Sequence, residues 1–204
     1  MLAKYVRPLL ALPVAKLVEW MKSAGVTPNM VTYFGFALTL VSAIILGSGS
    51  FRIGGFVLWT AAMFDMLDGS LARATNQSSI FGAFIDSTLD RYSESVTFLA
   101  LVYHFSTVNG SRMQLVLIFI ILVGSLMVSY TRARAEGLNV SVTEGWLQRP
   151  ERLTLLITGL ILGAYILNPI LWFMAIFTNI TALQRVYEVY WRLRKADSSP
   201  QVTR

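Results

Sequence analysis

Residues 64–94 read FDMLDGSLARATNQSSIFGAFIDSTLDRYSE and place four aspartates, Asp65, Asp68, Asp86 and Asp90, in a chain that is otherwise mostly apolar. Of the 204 residues, 55% are hydrophobic and 14% are charged, and the mean hydropathy is +0.60. A soluble domain of this length needs more polar surface, so the composition predicts an integral membrane protein. A charge inside the hydrocarbon layer costs at least ~2.5 kcal/mol, so these aspartates require a compensating partner.

The spacing within this stretch predicts two helix faces that meet. Positions three, four and seven residues apart lie on one face of a helix. The first face carries Asp65, Asp68, Gly69 and Ala72, and the second carries Gly82, Asp86 and Asp90. Residues 74–81 between them are turn-like, which predicts that the two helices are antiparallel neighbours. We therefore expect the four carboxylates to converge on one point.

Working outward, six apolar segments approach the roughly 20 residues that a membrane-spanning helix needs. They are residues 29–48, 53–73, 82–106, 113–135, 152–167 and 169–190. Residues 1–26 mix charged and apolar side chains without a clear cleavage site, which favours an amphipathic interfacial helix. The predicted fold is all-α and integral to the membrane: one domain over 1–204, with the interfacial helix, a bundle of six transmembrane helices over 27–195 and a flexible tail over 196–204.

The basic residues predict the orientation of this bundle. If both ends lie on one side, every Lys and Arg except Arg52 and Arg112 falls on that side, and so does every acidic residue. The positive-inside rule then places both termini in the cytoplasm. The aspartates face the same side, and the membrane is taken to be the plasma membrane of a prokaryotic cell. The net charge of +6 is thus a topology signal. No nucleic-acid-binding motif accompanies it, so no nucleic-acid partner is expected.

Four carboxylates in one pocket repel one another unless cations lie between them. The chain has no cysteine and a single histidine, so a hard oxygen site for Mg²⁺, Mn²⁺ or Ca²⁺ is favoured over a zinc site. Four carboxylates can bridge two ions, and a two-metal site stabilises both oxygens of a phosphoryl displacement. A cation pathway, a proton relay or plain ion pairing within the bundle remain as alternatives.

The aspartates belong to a longer pattern, Asp65-x2-Asp68-Gly69-x2-Ala72-Arg73-x8-Gly82-x3-Asp86-x3-Asp90. This pattern resembles, position for position, the signature of the CDP-alcohol phosphotransferases. Those membrane enzymes move a substituted phosphoryl group from a CDP-linked donor to an alcohol and release CMP. The resemblance covers essentially the whole chain and implies six transmembrane helices, an N-terminal interfacial helix and a homodimer.

The same resemblance implies roles for individual residues. Asp65, Asp68 and Asp86 would bind two divalent cations, Mg²⁺ or Mn²⁺, and Asp90 would contact the metals and act as the general base. The expected CDP-binding residues are Asn29, Asp65, Asp68, Gly69, Ala72, Arg73 and Gly82, with Thr32 as a further candidate. An alternative for Asn29 is that it caps the first transmembrane helix.

The acceptor alcohol is suggested by a second charged cluster, in which SYTRARAEG ends the fourth span and QRPERL begins the fifth. Guanidinium groups collected at one membrane face suit a phosphate, so we expect a phosphorylated acceptor. Alternatively, these arginines anchor the chain or pair with nearby glutamates, an interpretation favoured for Arg134 and Arg149.

A narrower similarity concerns three segments: STLDRYSE, RPERL and the LQR near the end of the chain. They resemble the phosphatidylinositol-phosphate synthases of actinobacteria and their archaeal relatives. That resemblance implies a CDP-diacylglycerol donor, or its ether analogue, and an inositol 1-phosphate acceptor. The expected acceptor-phosphate ligands are Ser129, Arg132, Arg152 and Arg185.

Three other functions remain open from the sequence. A glycerol 3-phosphate acceptor would give phosphatidylglycerol phosphate with the same aspartate chemistry. A divalent-cation transporter could use the same carboxylates, although no acidic residue lies toward the outer exit and no inverted repeat is visible. A non-catalytic lipid-binding or structural membrane protein would tolerate the loss of the aspartates.

Overall fold

A computed structural model of the protein describes residues 14–107, 112–142 and 145–198. The regular structure in these ranges is entirely helical, which confirms the predicted all-α class. The helices are α1 (14–23), α2 (Pro28–Gly47), α3 (Phe51–Thr75), α4 (Ile80–Thr107), α5 (Arg112–Glu136), α6 (Arg149–Leu162) and α7 (Ala164–Ser198). The first part of the predicted interfacial helix, residues 1–13, lies outside the described residues, and so do residues 199–204 of the predicted tail.

The start of α2 is set by Thr27 and Pro28. Thr27 is extended, with φ −92° and ψ 153°, and its side-chain oxygen accepts a hydrogen bond from the Met30 amide at 3.4 Å. Pro28 follows as the first helical residue, where its missing N–H costs nothing. The alternative in which Asn29 caps this helix is therefore wrong, because Thr27 is the cap and Asn29 lies within the first turn.

Helix α2 packs closely against both α3 and α4. Glycines allow the approach to α3: a Cβ on Gly35 would lie 3.3 Å from Phe64 Cβ, and a Cβ on Gly54 would lie 2.6 Å from Leu46 Cδ2. By contrast, α3 and α4 have little direct contact with each other. The predicted neighbours therefore meet at their aspartate-bearing ends, whereas α2 packs against both helices along their length.

The connection between α3 and α4 is shorter than the predicted residues 74–81 and covers only 76–79. Asn76 ends α3 in the left-handed conformation, with φ 54°, and its amide donates to the Ala72 carbonyl. Such a residue reverses the chain after a helix. Ser79 then accepts a hydrogen bond from the Gly82 amide at 2.9 Å at the start of α4. This turn brings the aspartate-bearing ends of α3 and α4 to the same end of the bundle.

Three helices of the described residues, α2, α5 and α7, are long and apolar enough to cross a membrane. This finding agrees with the predicted membrane protein. Helices α3 and α4 have 25 and 28 residues and carry the aspartates, whereas α6 has 14 residues. The count of six spans and the cytoplasmic termini stay predictions.

The boundary between the last two predicted spans is wrong. The expected break at residues 167–169 lies inside α7, and the chain instead breaks at Gly163, whose φ is +96°. Glycine adopts this conformation without a steric penalty. Pro169 is the sixth residue of α7 and lies inside the helix, where its missing N–H removes one main-chain hydrogen bond but does not end the helix. Helix α7 also extends to Ser198, so the beginning of the predicted tail is helical.

The largest apolar core lies where α4, α5, α6 and α7 meet. Its fully buried side chains include Leu101, Ile118, Ile121, Leu160 and Leu171. Burial of a side chain of this size contributes about 1.5–3 kcal/mol. This core holds α6 against α3 and α7. It thereby places the first turn of α6, with Arg149 and Arg152, beside the aspartates.

Candidate active site

The structure brings Asp65 and Asp68 of α3 together with Asp86 of α4. One carboxylate oxygen from each lies within 4.8 Å of the others. Two oxygens coordinated to one Mg²⁺ at about 2.1 Å are at most about 4.2 Å apart. A small inward movement of the side chains therefore closes this set around a divalent cation, and the convergence expected from the spacing is present for these three aspartates.

The chemistry of this set fits a hard divalent cation. All three donors are carboxylates, the chain has no cysteine, and its single histidine lies near the other end of α4. His104 packs there against Phe51, with ring centroids 4.7 Å apart. Oxygen donors without sulfur or imidazole suit Mg²⁺ and Mn²⁺. Ionised carboxylates this close repel one another, and a bound cation removes that repulsion.

Asp68 is the most enclosed of the three and has defined partners on both oxygens. Its side chain is buried, and Thr32 Oγ1 on α2 donates to Asp68 Oδ2 at 2.7 Å. The Gly69 amide donates to Oδ1 at 2.5 Å. These two bonds fix the carboxylate plane, which is how residues around a metal ligand usually orient it. Thr32 was expected beside the nucleotide, and here its hydroxyl orients a proposed metal ligand.

Asp90 lies one turn beyond Asp86 on α4 and has different partners. Its Oδ1 forms a close ion pair with Arg149 Nη2, and Arg91 Nη1 is 3.8 Å from Oδ2. Arg149 also donates Nη1 to Asp65 Oδ2 at 2.7 Å. The guanidinium of α6 thus bridges a carboxylate of α3 and a carboxylate of α4. The described structure therefore places Asp90 next to the set of three but pairs it with an arginine.

Arg149 is a site residue that the sequence interpretation missed, because it was assigned to anchoring or to pairing with glutamates. A signal was present in its spacing. Arg149 and Arg152 are three residues apart at the start of a helix, so they share the face that meets α4.

Glu94 is a second residue that sequence reasoning did not single out. It lies four residues after Asp90, and its two oxygens accept from Arg152 Nε at 2.9 Å and Nη2 at 3.1 Å. Arg152 is 1% exposed and also donates Nη1 to the Leu147 carbonyl at 3.3 Å. A guanidinium has five N–H donors, so these three bonds leave two for a ligand. The acceptor role expected for Arg152 stays a prediction.

The other expected acceptor residues are distributed over α5 and α7. Arg185 is buried, and its Nη1 donates to the Val128 carbonyl at 2.6 Å, next to the partly buried Ser129. Arg132 is half exposed and pairs with Glu136 at 2.8 Å on the surface of α5. The structure therefore brings Arg185 to the backbone beside Ser129, and it directs the Arg132 side chain to a glutamate. The acceptor role of all three stays a prediction.

A cleft of about 200 Å³ opens beside the carboxylates, between α2, α3 and α4. It collects every expected CDP-binding residue except Asp65. These lining residues are Asn29, Asp68, Gly69, Ala72, Arg73 and Gly82. A Cβ on Gly82 would lie 3.3 Å from Asn29 Oδ1, so α4 passes close to the start of α2 at this point. The absence of a side chain there keeps the cleft open.

A smaller inner cavity of about 50 Å³ lies on the other side of the carboxylates and is lined by Asp65, Asp90 and Arg149. Thr32 lines both spaces. The carboxylates thus lie between an outer cleft with a basic side chain, Arg73, and an inner cavity with Arg149. An arrangement of this kind can hold an anionic nucleotide on a cation and admit a second reactant from the other side.

Comparison with known proteins gives a consistent result. The family model described as CDP-alcohol phosphatidyltransferase matches residues 25–184. The phosphatidylinositol phosphate synthase of Mycobacteroides abscessus is 37% identical over 172 residues, which cover 81% of this chain and 78% of that protein. The archaetidylinositol phosphate synthase of Pyrococcus horikoshii is 35% identical over 194 residues, covering 95% of this chain and 98% of the other.

Solved structures of the phosphatidylinositol phosphate synthase of Mycobacterium tuberculosis share the fold. The structure with CDP-DAG bound has a TM-score of 0.82 and 30% sequence identity. The match covers 94% of this chain and 97% of the chain in that structure. A second structure of that protein, in complex with manganese and citrate, has the same TM-score and identity and covers 94% of this chain and 92% of its own. The family match includes both the aspartate set and the cleft, so this chain is an enzyme that belongs to the CDP-alcohol phosphatidyltransferase family.

Proposed function

We propose that the protein transfers a phosphatidyl-type group from CDP-diacylglycerol, or its ether analogue, to inositol 1-phosphate. The products are CMP and phosphatidylinositol phosphate. The observation that carries this proposal is the convergence of Asp65, Asp68 and Asp86 at the edge of a cleft lined by the expected CDP-binding residues. The choice of acceptor is supported by relatives whose names specify inositol phosphate products.

The donor is expected to lie in the outer cleft with its pyrophosphate toward the carboxylates. Because Gly69, Gly82, Asn29 and Arg73 line this cleft, we expect the glycines to leave room for the nucleotide, Asn29 to hydrogen-bond it and Arg73 to neutralise phosphate charge. Asp65, Asp68, Asp86 and Asp90 are the proposed ligands of two divalent cations, Mg²⁺ or Mn²⁺. When bound, such cations neutralise the negative charge that develops on phosphate oxygens during transfer.

Asp90 is the proposed general base. It lines the inner cavity, where it can accept the proton from an acceptor hydroxyl group that reaches into that space. The acceptor oxygen then attacks the lipid-side phosphorus, the bond from that phosphorus to CMP breaks, and CMP leaves with the electron pair. Thr32 holds Asp68 in place during this exchange.

The acceptor phosphate is proposed to bind Ser129, Arg132, Arg152 and Arg185. Two observations support a common site. Leu147 accepts from Arg152 through its carbonyl, and a Cβ on the nearby Gly145 would lie 3.6 Å from Arg185 Nε. The segment around residues 145–147 therefore lies next to both guanidinium groups. Arg132 would have to leave Glu136 to join them.

The setting of the enzyme is also part of the proposal. The apolar segments support six transmembrane helices in the plasma membrane. The distribution of basic residues supports cytoplasmic termini and an active site that faces the cytoplasm. Membrane lipids surround the bundle, and the protein works as a homodimer, as the family resemblance implies. The proposed domain covers residues 1–204.

The test is CMP release from purified protein supplied with CDP-diacylglycerol and Mg²⁺. Inositol 1-phosphate, glycerol 3-phosphate, free inositol and serine are compared as acceptors, and the ether-lipid donor is run in parallel. We expect release that depends on inositol 1-phosphate. Release with glycerol 3-phosphate alone would support the proposed role of the aspartates but would show that inositol 1-phosphate is not the acceptor.

A matched variant separates enzyme-dependent release from background hydrolysis. Asp86→Asn removes one carboxylate of the set while preserving the size of the side chain, so it should abolish release with every acceptor. If folded Asp86→Asn protein releases CMP at the normal rate, the proposed metal role of this aspartate is wrong.

A further inference from the structure

Arg149 occupies an unusual position for a basic residue beside a proposed cation site. Its guanidinium contacts both oxygens of Asp65, with Nη1 2.7 Å from Oδ2 and Nη2 3.4 Å from Oδ1. Nη2 also forms the close ion pair with Asp90. One cation therefore lies between a carboxylate of α3 and a carboxylate of α4, where a divalent metal would also bind.

Asp65 takes part in both arrangements. It is one of the three aspartates whose oxygens converge within 4.8 Å, and it is the aspartate that Arg149 holds at two points. A guanidinium paired with both oxygens occupies one lone-pair site on each, so the carboxylate has fewer sites left to offer a metal. It also places a positive charge next to the ion. The Arg149 guanidinium and a divalent metal ion therefore compete for Asp65 and for Asp90.

The position of Arg149 on its helix allows the side chain to leave without unfolding the helix. It is the first residue of α6, and the end of that first turn is fixed by the buried pair between Arg152 and Glu94. The Arg149 side chain is 28% exposed, so a route to solvent exists. The movement that displacement requires is a rotation about the side-chain bonds of Arg149, with the helix left in place.

We infer that Arg149 and the divalent cation are alternative counter-ions of Asp65 and Asp90. The guanidinium holds the two carboxylates together when the ion is absent, and the ion displaces it on binding. This inference rests on the metal site of the proposed function, but it does not depend on which alcohol is the acceptor.

Two measurable consequences follow by linkage. Removing the guanidinium makes the carboxylates available at all times, so the affinity for the divalent ion rises. The same change removes the cation that offsets carboxylate repulsion in the metal-free protein, so thermal stability falls there. In the metal-saturated protein the guanidinium has already left, so the same substitution has little effect on stability.

The first experiment measures Mn²⁺ binding to purified full-length protein, from the electron paramagnetic resonance signal of free Mn²⁺. No donor or acceptor is present, so the result is separate from any failure of the transfer reaction. Arg149→Gln is expected to bind Mn²⁺ at least tenfold more tightly than the unsubstituted protein. Arg91→Gln is the matched control, because Arg91 is 3.8 Å from Asp90 and carries the same charge without bridging. It should change the affinity by less than threefold.

The second experiment compares thermal unfolding in EDTA and in saturating Mn²⁺. Arg149→Gln should lower the melting temperature in EDTA and leave it nearly unchanged in Mn²⁺. Equal losses in both conditions would show that Arg149 stays paired when the metal is bound and would overturn the inference. An Mn²⁺ affinity for Arg149→Gln that is unchanged, weaker or equal to that of Arg91→Gln would overturn it as well.

If Arg149→Gln does not fold, Arg149→Lys replaces it in both measurements. A lysine keeps the charge but cannot hold two carboxylates through a planar fork. We expect a smaller gain in Mn²⁺ affinity than for Arg149→Gln, but one larger than for Arg91→Gln. An affinity equal to that of the unsubstituted protein would reject competition for the carboxylate oxygens.

Discussion

Arg152 on α6 and Glu94 on α4 form a buried two-point ion pair, with Nε and Nη2 2.9 and 3.1 Å from the two carboxylate oxygens. The pair lies one turn away from the contact between Arg149 and Asp90 on the same two helices. Arg152 is 1% exposed and Glu94 is 16% exposed, so little water screens them. The pair therefore fixes the first turn of α6 against the helix that carries Asp86 and Asp90.

Removing one member of this pair should be costly. Glu94→Ala leaves the Arg152 guanidinium buried without its counter-ion, a change that typically destabilises a protein by about 3–5 kcal/mol. We expect a clear fall in the midpoint of thermal or denaturant unfolding in detergent. Glu188→Ala is the control, because the Glu188–Arg192 pair is similarly short but 37–39% exposed. Exposed pairs contribute about 0–1 kcal/mol, so comparable losses in the two variants would contradict the buried-pair interpretation.

The hydroxyl of Thr32 should affect metal binding through Asp68. Thr32→Val keeps the shape of the side chain but removes the donor that lies 2.7 Å from Asp68 Oδ2. Loss of an orienting hydrogen bond to a metal ligand typically weakens metal binding about 10–100-fold. We expect an effect of that size on Mn²⁺ affinity, measured without substrates. Thr32→Ser retains the hydroxyl and should bind nearly normally, so weak binding by both variants would instead indicate a packing defect.

Asp90 should affect the chemical step more than donor binding. Asp90→Asn preserves the size of the side chain and removes its capacity to take a proton. General base catalysis typically contributes about 10²–10⁴-fold, so CMP release at saturating Mn²⁺ and donor should fall by at least ~100-fold. The KM for the CDP-lipid should change much less, because Asp90 lies outside the residues that line the outer cleft. Full activity in folded Asp90→Asn protein would show that Asp90 is not the general base.

The site aspartates could be predicted from sequence because their spacing follows one helical period. Asp65 and Asp68 share a face whatever surrounds the helix, and so do Asp86 and Asp90. The packing of α2 against both aspartate-bearing helices could not be predicted in the same way. Helix α2 packs against α3 where Gly35 and Gly54 allow close contact and approaches α4 at Gly82, and that fit depends on surfaces distant in sequence.

The ion pairs and the helix break that the sequence analysis missed can be explained in similar physical terms. The pairs Arg149–Asp65 and Arg152–Glu94 join residues 84 and 58 positions apart, so no local pattern specifies them. The predicted break at residues 167–169 contains Pro169, a residue that usually interrupts a helix, but α7 continues through it. Gly163 was the stronger signal, because its positive φ ends one helix and its carbonyl accepts from the first turn of the next.

Gly69 provides a test of the nucleotide cleft that does not depend on catalysis. Among the described residues, a Cβ at Gly69 would meet only Arg73 Nη1, at an ordinary 3.5 Å, so Gly69→Ala should fold normally. Replacing a glycine within a helix by alanine typically stabilises it by about 1 kcal/mol. If the nucleotide lies against this face, the KM for the CDP-lipid rises while the melting temperature is unchanged or higher. Gly82→Ala differs, because its Cβ would lie 2.9 Å from Ser79 Oγ and 3.3 Å from Asn29 Oδ1, so stability should fall as well. An unchanged KM in Gly69→Ala would place the nucleotide elsewhere.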